Sequence, residues 1–278
     1  IGSMSMNGTI SDKDLDRISN SGKIIRQGIK DIGGSPDMIA EAIREKGDMA
    51  AFLELHIEQG AILYNEGIEL GIVEGIVGIE TWAVTIEGRA NHAGTTPMNL
   101  RKDALVGASR LIVAVNNIVR NIPGSQVGTV GKISVEPGAS NVVPGKASLT
   151  IELRDLSNDK IHKIFDIIEK EMKVIEEETG VSISYAEDHT NISALMDDRI
   201  KSLLEESAIE LGLRYRMMPS GAGHDAQAMA RIAPTGMIFV PSRDGISHSP
   251  LEYTSTDDIA AGASVMYHTI MKLDKRLK

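Results

Sequence analysis

Four of the seven histidines in this 278-residue chain lie in short motifs rich in glycine and polar residues. These are Glu54-Leu55-His56-Ile57-Glu58-Gln59-Gly60, Asn91-His92-Ala93-Gly94, Gly221-Ala222-Gly223-His224-Asp225 and Ser247-His248-Ser249-Pro250. Imidazole is the commonest protein metal ligand and titrates near neutrality. Any one of the four alone reads as a core or surface histidine. Together, at strand ends and turns, they point to a metal-assisted hydrolytic site. His162 and His268 instead fall inside helical patterns.

His56 is flanked by Glu54 and Glu58. In an extended segment residues i and i+2 share a face, so these carboxylates can orient a ligating imidazole or form a strand-end salt bridge. A catalytic zinc needs three protein ligands, a water position and a general base. The sequence has no HExxH and no HxD pair. Its acidic runs, Glu176-Glu177-Glu178 and Glu205-Glu206, read as solvated helix faces. The motifs supply half a site.

The elements that must position these residues read as α/β. Ala51 to Ile57 is a strand with His56 near its C-terminal end, where α/β sheets place ligands. Leu70 to Val77 is a second. Ahead of them, Ser21 and Ser35 are candidate caps of two short helices, with Pro36 at the first position of the second. From Gly78 the pattern becomes strand (Trp82, Val84, Ile86), helix (Leu105 to Val119), strand (Val127 to Val135), strand (Ala147 to Leu153), helix (capped by Ser157, to Glu178) and strand (Val181 to Tyr185). The order β-α-β-β-α-β is the ferredoxin-like unit, predicted as an insertion over 78–189. A helix over Asp197 to Leu211, a strand over Gly236 to Val240, and a final helix opened by Thr256-Asp257-Asp258 resume the first architecture. The predicted domains are therefore 1–77 with 190–278, interrupted by 78–189.

The bulk numbers narrow the partners. A formal charge of −10 argues against nucleic acid. There is no cysteine, hence no disulfide, thiolate ligand or cysteine nucleophile. The longest apolar run, Leu111-Ile112-Val113-Ala114-Val115, is far short of a membrane span. No basic-then-apolar leader is visible, and a cytoplasmic location is the expectation. The chain opens on Ile1-Gly2-Ser3-Met4, which reads as the start of an excised piece of a longer polypeptide. The thirteen methionines read as core filling.

Five ordered motifs carry a resemblance: ELHIEQG, GRANHAGTTPM, GASNVVPG followed by ELRD, SGAGHDA, and FVPSRDGISHSPLEYT. Together they resemble the dinuclear zinc amidohydrolases that act on carbamoyl and ureido compounds, among them N-carbamoyl-L-amino-acid hydrolase, allantoate amidohydrolase and β-ureidopropionase. That group is related to zinc exopeptidases such as aminoacylase and carboxypeptidase G. The resemblance covers essentially the whole chain. Ala61 departs from it, because these enzymes usually carry proline after HIEQG, a difference expected to touch only the start of the next helix.

The resemblance implies a zinc-exopeptidase-like α/β catalytic domain, present in part, with an inserted ferredoxin-like dimerisation (lid) domain. It implies two divalent ions, zinc first and manganese second, with His56 ligating one and His248 the other. The remaining acids, including the general base, would lie upstream of a Gly-Ser…Gly segment that Gly2-Ser3…Gly8 matches. Gln59, Asn141, Arg154 and His224 would contact substrate, and His92, supplied by the partner subunit of a homodimer, would stabilise the oxyanion. Arg154 fits the carboxylate of a substrate because a guanidinium fork binds it bidentately, although alone it reads as a sheet-face salt bridge. His224 can equally stand behind the metal. The implied activity is hydrolysis of a carbamoyl or ureido C–N bond in a small carboxylate. The alternatives are an aminoacylase or peptidase relative, which usually places an acid where His56 stands, and an inactive dimerising fragment. With two imidazoles and no bridging carboxylate, the chain alone is expected to bind zinc poorly.

Overall fold

The computed structural model describes residues 1–19 and 21–277. The chain forms two compact units, one from 1–76 with 194–278 and the other from 77–193.

The first unit begins with short helices α1 (Gly2–Met6), α2 (Asp12–Leu15) and α3 (Ile25–Asp31). Their caps differ from expectation. Ser11 holds a reciprocal capping box with Asp14, while α3 is preceded by Ile24, so Ser21 caps nothing. Ser35 precedes Pro36 as expected, but the turn over Pro36–Ala42 is 3-10 and the Ser35 side chain makes no cap. Strand β1 (Phe52–Ile57), helix α4 (Ile62–Glu66) and strand β2 (Leu70–Ile76) follow. Ala61 is the N-cap residue of α4 and has no side chain to offer. The buried Glu58 carboxylate does that work, accepting the Ile62 and Leu63 N–H groups at 2.9 and 2.8 Å.

The second unit contains β3 (Gly78–Glu87), β4 (Asn91–His92), α5 (Ala104–Asn121), β5 (Val127–Glu136), β6 (Val142–Val143), β7 (Lys146–Asp155), α6 (Asn158–Thr179) and β8 (Ser182–Asn191). Its main sheet runs β5-β7-β3-β8 with every neighbouring pair antiparallel, the ferredoxin-like arrangement. Period-two patterning explains the face: along β7, Ala147, Leu149, Ile151 and Leu153 are buried and pack on the apolar stripes of α5 and α6. Trp82 stacks on Phe165, centroids 3.9 Å apart. Asp103 caps α5, Ser157 caps α6, and Gly180 ends α6 in the left-handed conformation, φ 69°. β4 and β6 form a separate two-stranded ribbon.

The first unit resumes with β9 (Ala194–Leu195), α7 (Asp198–Glu210), β10 (Tyr215–Ser220), α8 (Asp225–Met229), β11 (Thr235–Val240) and α9 (Thr256–Leu277). The sheet order is β1-β11-β2-β10, with β9 also on β2. β1 and β11 are parallel, β2 and β10 are parallel, and β11 meets β2 antiparallel. Every residue of β11 is buried, as a central strand requires. Because β1 and β11 run parallel in register, His56 opposite Phe239, the segments that follow them leave the sheet at one end. Asp257 and Asp258 open α9 at its positive pole. No helix among the described residues is long and apolar enough to cross a membrane.

Candidate metal centre

Glu54 and His56 sit two residues apart on β1 and share a face. The third member of the group comes from 168 positions further on: His224, the N-cap residue of α8. One ligand atom from each of Glu54, His56 and His224 lies within 4.8 Å of the other two, the one such group of three or more found among the described residues. The rings of His56 and His224 meet edge to face with centroids 4.6 Å apart, and His224 also tilts against Phe239 at 5.6 Å.

Hydrogen bonds fix how each group is presented. His56 Nδ1 lies 2.8 Å from the Ile57 carbonyl oxygen. A carbonyl only accepts, so Nδ1 carries the proton and Nε2 keeps its lone pair. The Glu54 carboxylate accepts the Ala226 N–H on Oε2 at 2.7 Å, which caps α8 from the neighbouring strand. Its Oε1 stands 3.7 Å from His224 Nδ1. His224 Nε2 is 2.8 Å from the Ser220 hydroxyl, and its side chain is 2% exposed. Burial, and then the neighbouring His56, push the His224 pKa down to about 4, so the ring is neutral at pH 7. Burial raises the Glu54 pKa against the opposing Ala226 hydrogen bond. Two imidazoles and one carboxylate are the donor set of known catalytic zinc sites, and the group fits a divalent cation.

His248 stands on the segment after β11 and is outside that group. Gln59 ties it to the end of β1. The Gln59 N–H donates to Ser242 Oγ at 3.0 Å, and its Nε2 reaches Ser247 Oγ at 2.8 Å and His248 Nε2 at 3.3 Å. Glu252 Oε2 accepts both the Ser247 hydroxyl, at 2.8 Å, and the His248 N–H, at 3.2 Å. These two bonds hold the Glu252 carboxyl below the usual range, with smaller contributions from the His248 and His56 imidazoles. Gln59, Asp244 and His248 all have positive φ, 58°, 57° and 55°. Such left-handed geometry costs on the order of 1–3 kcal/mol at a non-glycine residue, and clusters where a site over-determines it.

The remaining candidates belong to the 77–193 unit. His92 on β4 pairs with Val142 on β6, and the Ala93 N–H donates to the Asn141 carbonyl, so His92 and Asn141 are neighbours. His92 Nδ1 accepts the Gly94 and Thr95 N–H groups at 3.0 and 3.3 Å, which places the proton on Nε2. Arg101 holds this turn by donating to the Ala93 and Thr96 carbonyls at 2.6 and 3.1 Å. Arg154 lies on the face of β7 opposite the buried residues, its guanidinium on Glu152 at 2.8 Å.

The pairing of Glu54 with His224, and the roles of Ser220 and Glu252, escaped the sequence reading. Glu54 lay in view beside His56, but nothing in the spacing brings His224 to it.

Residues 27–272 match Peptidase family M20/M25/M40. The chain is 38% identical to N-carbamoyl-L-amino acid amidohydrolase of Geobacillus stearothermophilus, and 36% identical to allantoate amidohydrolase of Bacillus subtilis. Each alignment covers 98% of this chain and 66% of the relative, so the chain spans just under two thirds of their length. Among solved structures, the amidase of the hydantoinase/carbamoylase family from Burkholderia multivorans superposes with a TM-score of 0.86 at 32% identity, over 98% of this chain and 66% of that one. With a family match across most of its length and a donor cluster at the strand ends, the chain belongs to peptidase family M20/M25/M40.

Proposed function

We propose that the protein containing this chain is a metal-dependent hydrolase of the carbamoyl or ureido C–N bond of a small carboxylate, an N-carbamoyl amino acid or allantoate. The observation that carries the reading is the His56-centred donor cluster, in a chain whose relatives include amidohydrolases of both substrates. Two divalent ions, zinc first and manganese second, would be held with His56 as a ligand of one and His248 of the other. When bound, they supply Lewis acidity and a water of lowered pKa.

The chain's own residues do the rest. Arg154 exchanges its Glu152 partner for the substrate carboxylate, which its fork grips bidentately, and Asn141 adds an amide donor. Gln59 offers its carboxamide to the ureido group. His92, with its proton on Nε2, donates to the oxyanion of the tetrahedral intermediate. His224 moves in this reading from substrate contact to the metal's surroundings, because its side chain is 2% exposed. We place His92 in a homodimer, contributed by the second subunit.

The test is ammonium release from N-carbamoyl-L-amino acids and allantoate by the gene product containing this chain, beside release of free amino acid from N-acetyl-amino acids and dipeptides. Turnover of the carbamoyl or ureido compounds alone supports the proposal. Turnover confined to dipeptides or N-acetyl compounds replaces it with the aminoacylase or peptidase reading. Mixing His92→Ala and Arg154→Ala subunits tests the dimer: recovered activity supports a shared site, and none after verified subunit exchange removes it.

A further inference from the structure

We infer that the first unit carries a second binding site, remote from the Glu54, His56 and His224 group, for a small carboxylate with a hydrocarbon body. The site is a cavity of about 800 Å³ at the end of the sheet where β1 and β11 begin. Ala50, just ahead of β1, and Thr235, the first residue of β11, both line it, and Phe52 pairs with Thr235 in the parallel register. His56 stands further along β1, about 13 Å from Phe52 at the usual strand rise. The cavity and the His56 imidazole therefore belong to opposite ends of the same two strands.

The lining is divided by polarity. Its floor is apolar: Ile200 and Leu203 of α7 and Ala233 ahead of β11 are all buried. Around the floor stand four cations, Lys46, Arg199, Arg231 and Arg276, against one acid, Asp197, in a chain whose formal charge is −10. Asp197 is already committed. It accepts the Arg199 and Ile200 N–H groups at the start of α7 and holds the Arg199 guanidinium at 3.1 Å. Arg276 is committed to Glu206, also at 3.1 Å. Lys46 and Arg231 are both exposed and have no carboxylate partner among the described residues. Two cations are left to meet a ligand.

These commitments select the occupant. An inorganic anion would meet the two free cations and leave the apolar floor in water. A neutral hydrocarbon would cover the floor and leave the cations unmatched. A zwitterionic amino acid would bring its ammonium to a rim whose one acid is taken. A carboxylate on a hydrocarbon body satisfies each part: charge-assisted hydrogen bonds from Lys46 and Arg231, and apolar surface removed from water on the floor. The volume also suits it, since small-molecule sites are typically clefts of roughly 300–1,000 Å³, mainly apolar with a few placed polar groups.

The experiment titrates decanoate into the gene product containing this chain by calorimetry. Acetate, which lacks the hydrocarbon body, and decylammonium, which inverts the charge, are run beside it. We expect one decanoate per chain and no saturable binding of either control at the same concentrations. Lys46→Ala and Arg231→Ala should each weaken decanoate binding by about tenfold, the loss of one hydrogen bond to a charged group. Ala50→Trp, which fills the cavity from an exposed position, should abolish it. Arg154→Ala should leave affinity within about twofold of the parent, inside the scatter of a surface substitution. That variant lies in the second unit and separates the cavity from the proposed substrate anchor. Circular dichroism of each variant establishes folding. No saturable decanoate binding, equal binding of decylammonium, unchanged affinity in both Lys46→Ala and Arg231→Ala, or loss of binding in Arg154→Ala each overturns the inference. Hydrolysis is not read, so failure here is separate from failure of the proposed reaction.

Discussion

Two histidines in this chain hold their protons on opposite nitrogens, and each arrangement suits a different task. His56 is protonated at Nδ1 by its bond to a carbonyl, which leaves Nε2 as a lone-pair donor. His92 has Nδ1 filled by two backbone N–H groups, which leaves an Nε2–H to give. Imidazole nitrogen shifts of the metal-free protein should report a proton on Nδ1 of His56 and on Nε2 of His92, and the same tautomer at both would refute the assignment. If His92 is the oxyanion donor, His92→Ala should lower kcat by about 10²–10³-fold with KM little changed, the usual cost of one such donor. Arg154→Lys should act the other way, raising KM more than it lowers kcat, because an ammonium cannot form the fork. Steady-state kinetics on the gene product containing this chain separates the two patterns.

The helices and strands rest on local devices that can be tested one at a time. Asp197 caps α7, accepting the Arg199 and Ile200 N–H groups, and the Arg199 side chain holds its carboxyl below the usual range. Asp197→Ala should cost about 1 kcal/mol at pH 7, by urea unfolding. A carboxyl depressed in the folded state contributes stability that is present above its unfolded pKa, near 3.8, and lost as pH falls through the lower folded value. The difference between parent and Asp197→Ala should therefore shrink below pH 4. At Gly236 on β11 an added Cβ would run into Ile200 Cγ2, with Leu53 Cδ2 only 3.3 Å away. Gly236→Ala should destabilise by about 1–3 kcal/mol through overpacking. At this scale the sequence was legible wherever periodicity was strong: α5, α6, β7 and β11 are near their expected spans. β10 was missed because Arg216 and Pro219 break the alternation, and the structure uses the proline at a register shift between Met218 and Ser220. α8 was missed because five residues are too few for a stripe, and its start is held by Glu54 from another element. His56 was legible from its place at a strand end, whereas His224 was visible only as a motif, since its partners are set by packing.

At the scale of the whole molecule, the 1–76 and 194–278 segments build one mixed sheet, and 77–193 builds an antiparallel sheet with two helices. The Glu54, His56 and His224 group on which the proposed reaction rests belongs to the first unit, and Asn141 and Arg154 lie in the second. The central claim is that hydrolysis of a carbamoyl or ureido compound depends on a metal held through His56. The direct measurement is ammonium release by the gene product containing this chain, before chelation, after chelator removal by dialysis, and after zinc or manganese is restored, with His56→Ala run in parallel. The account predicts activity that disappears on chelation, returns with metal, and does not return in His56→Ala. Full activity in the metal-stripped protein, or in His56→Ala, would contradict it.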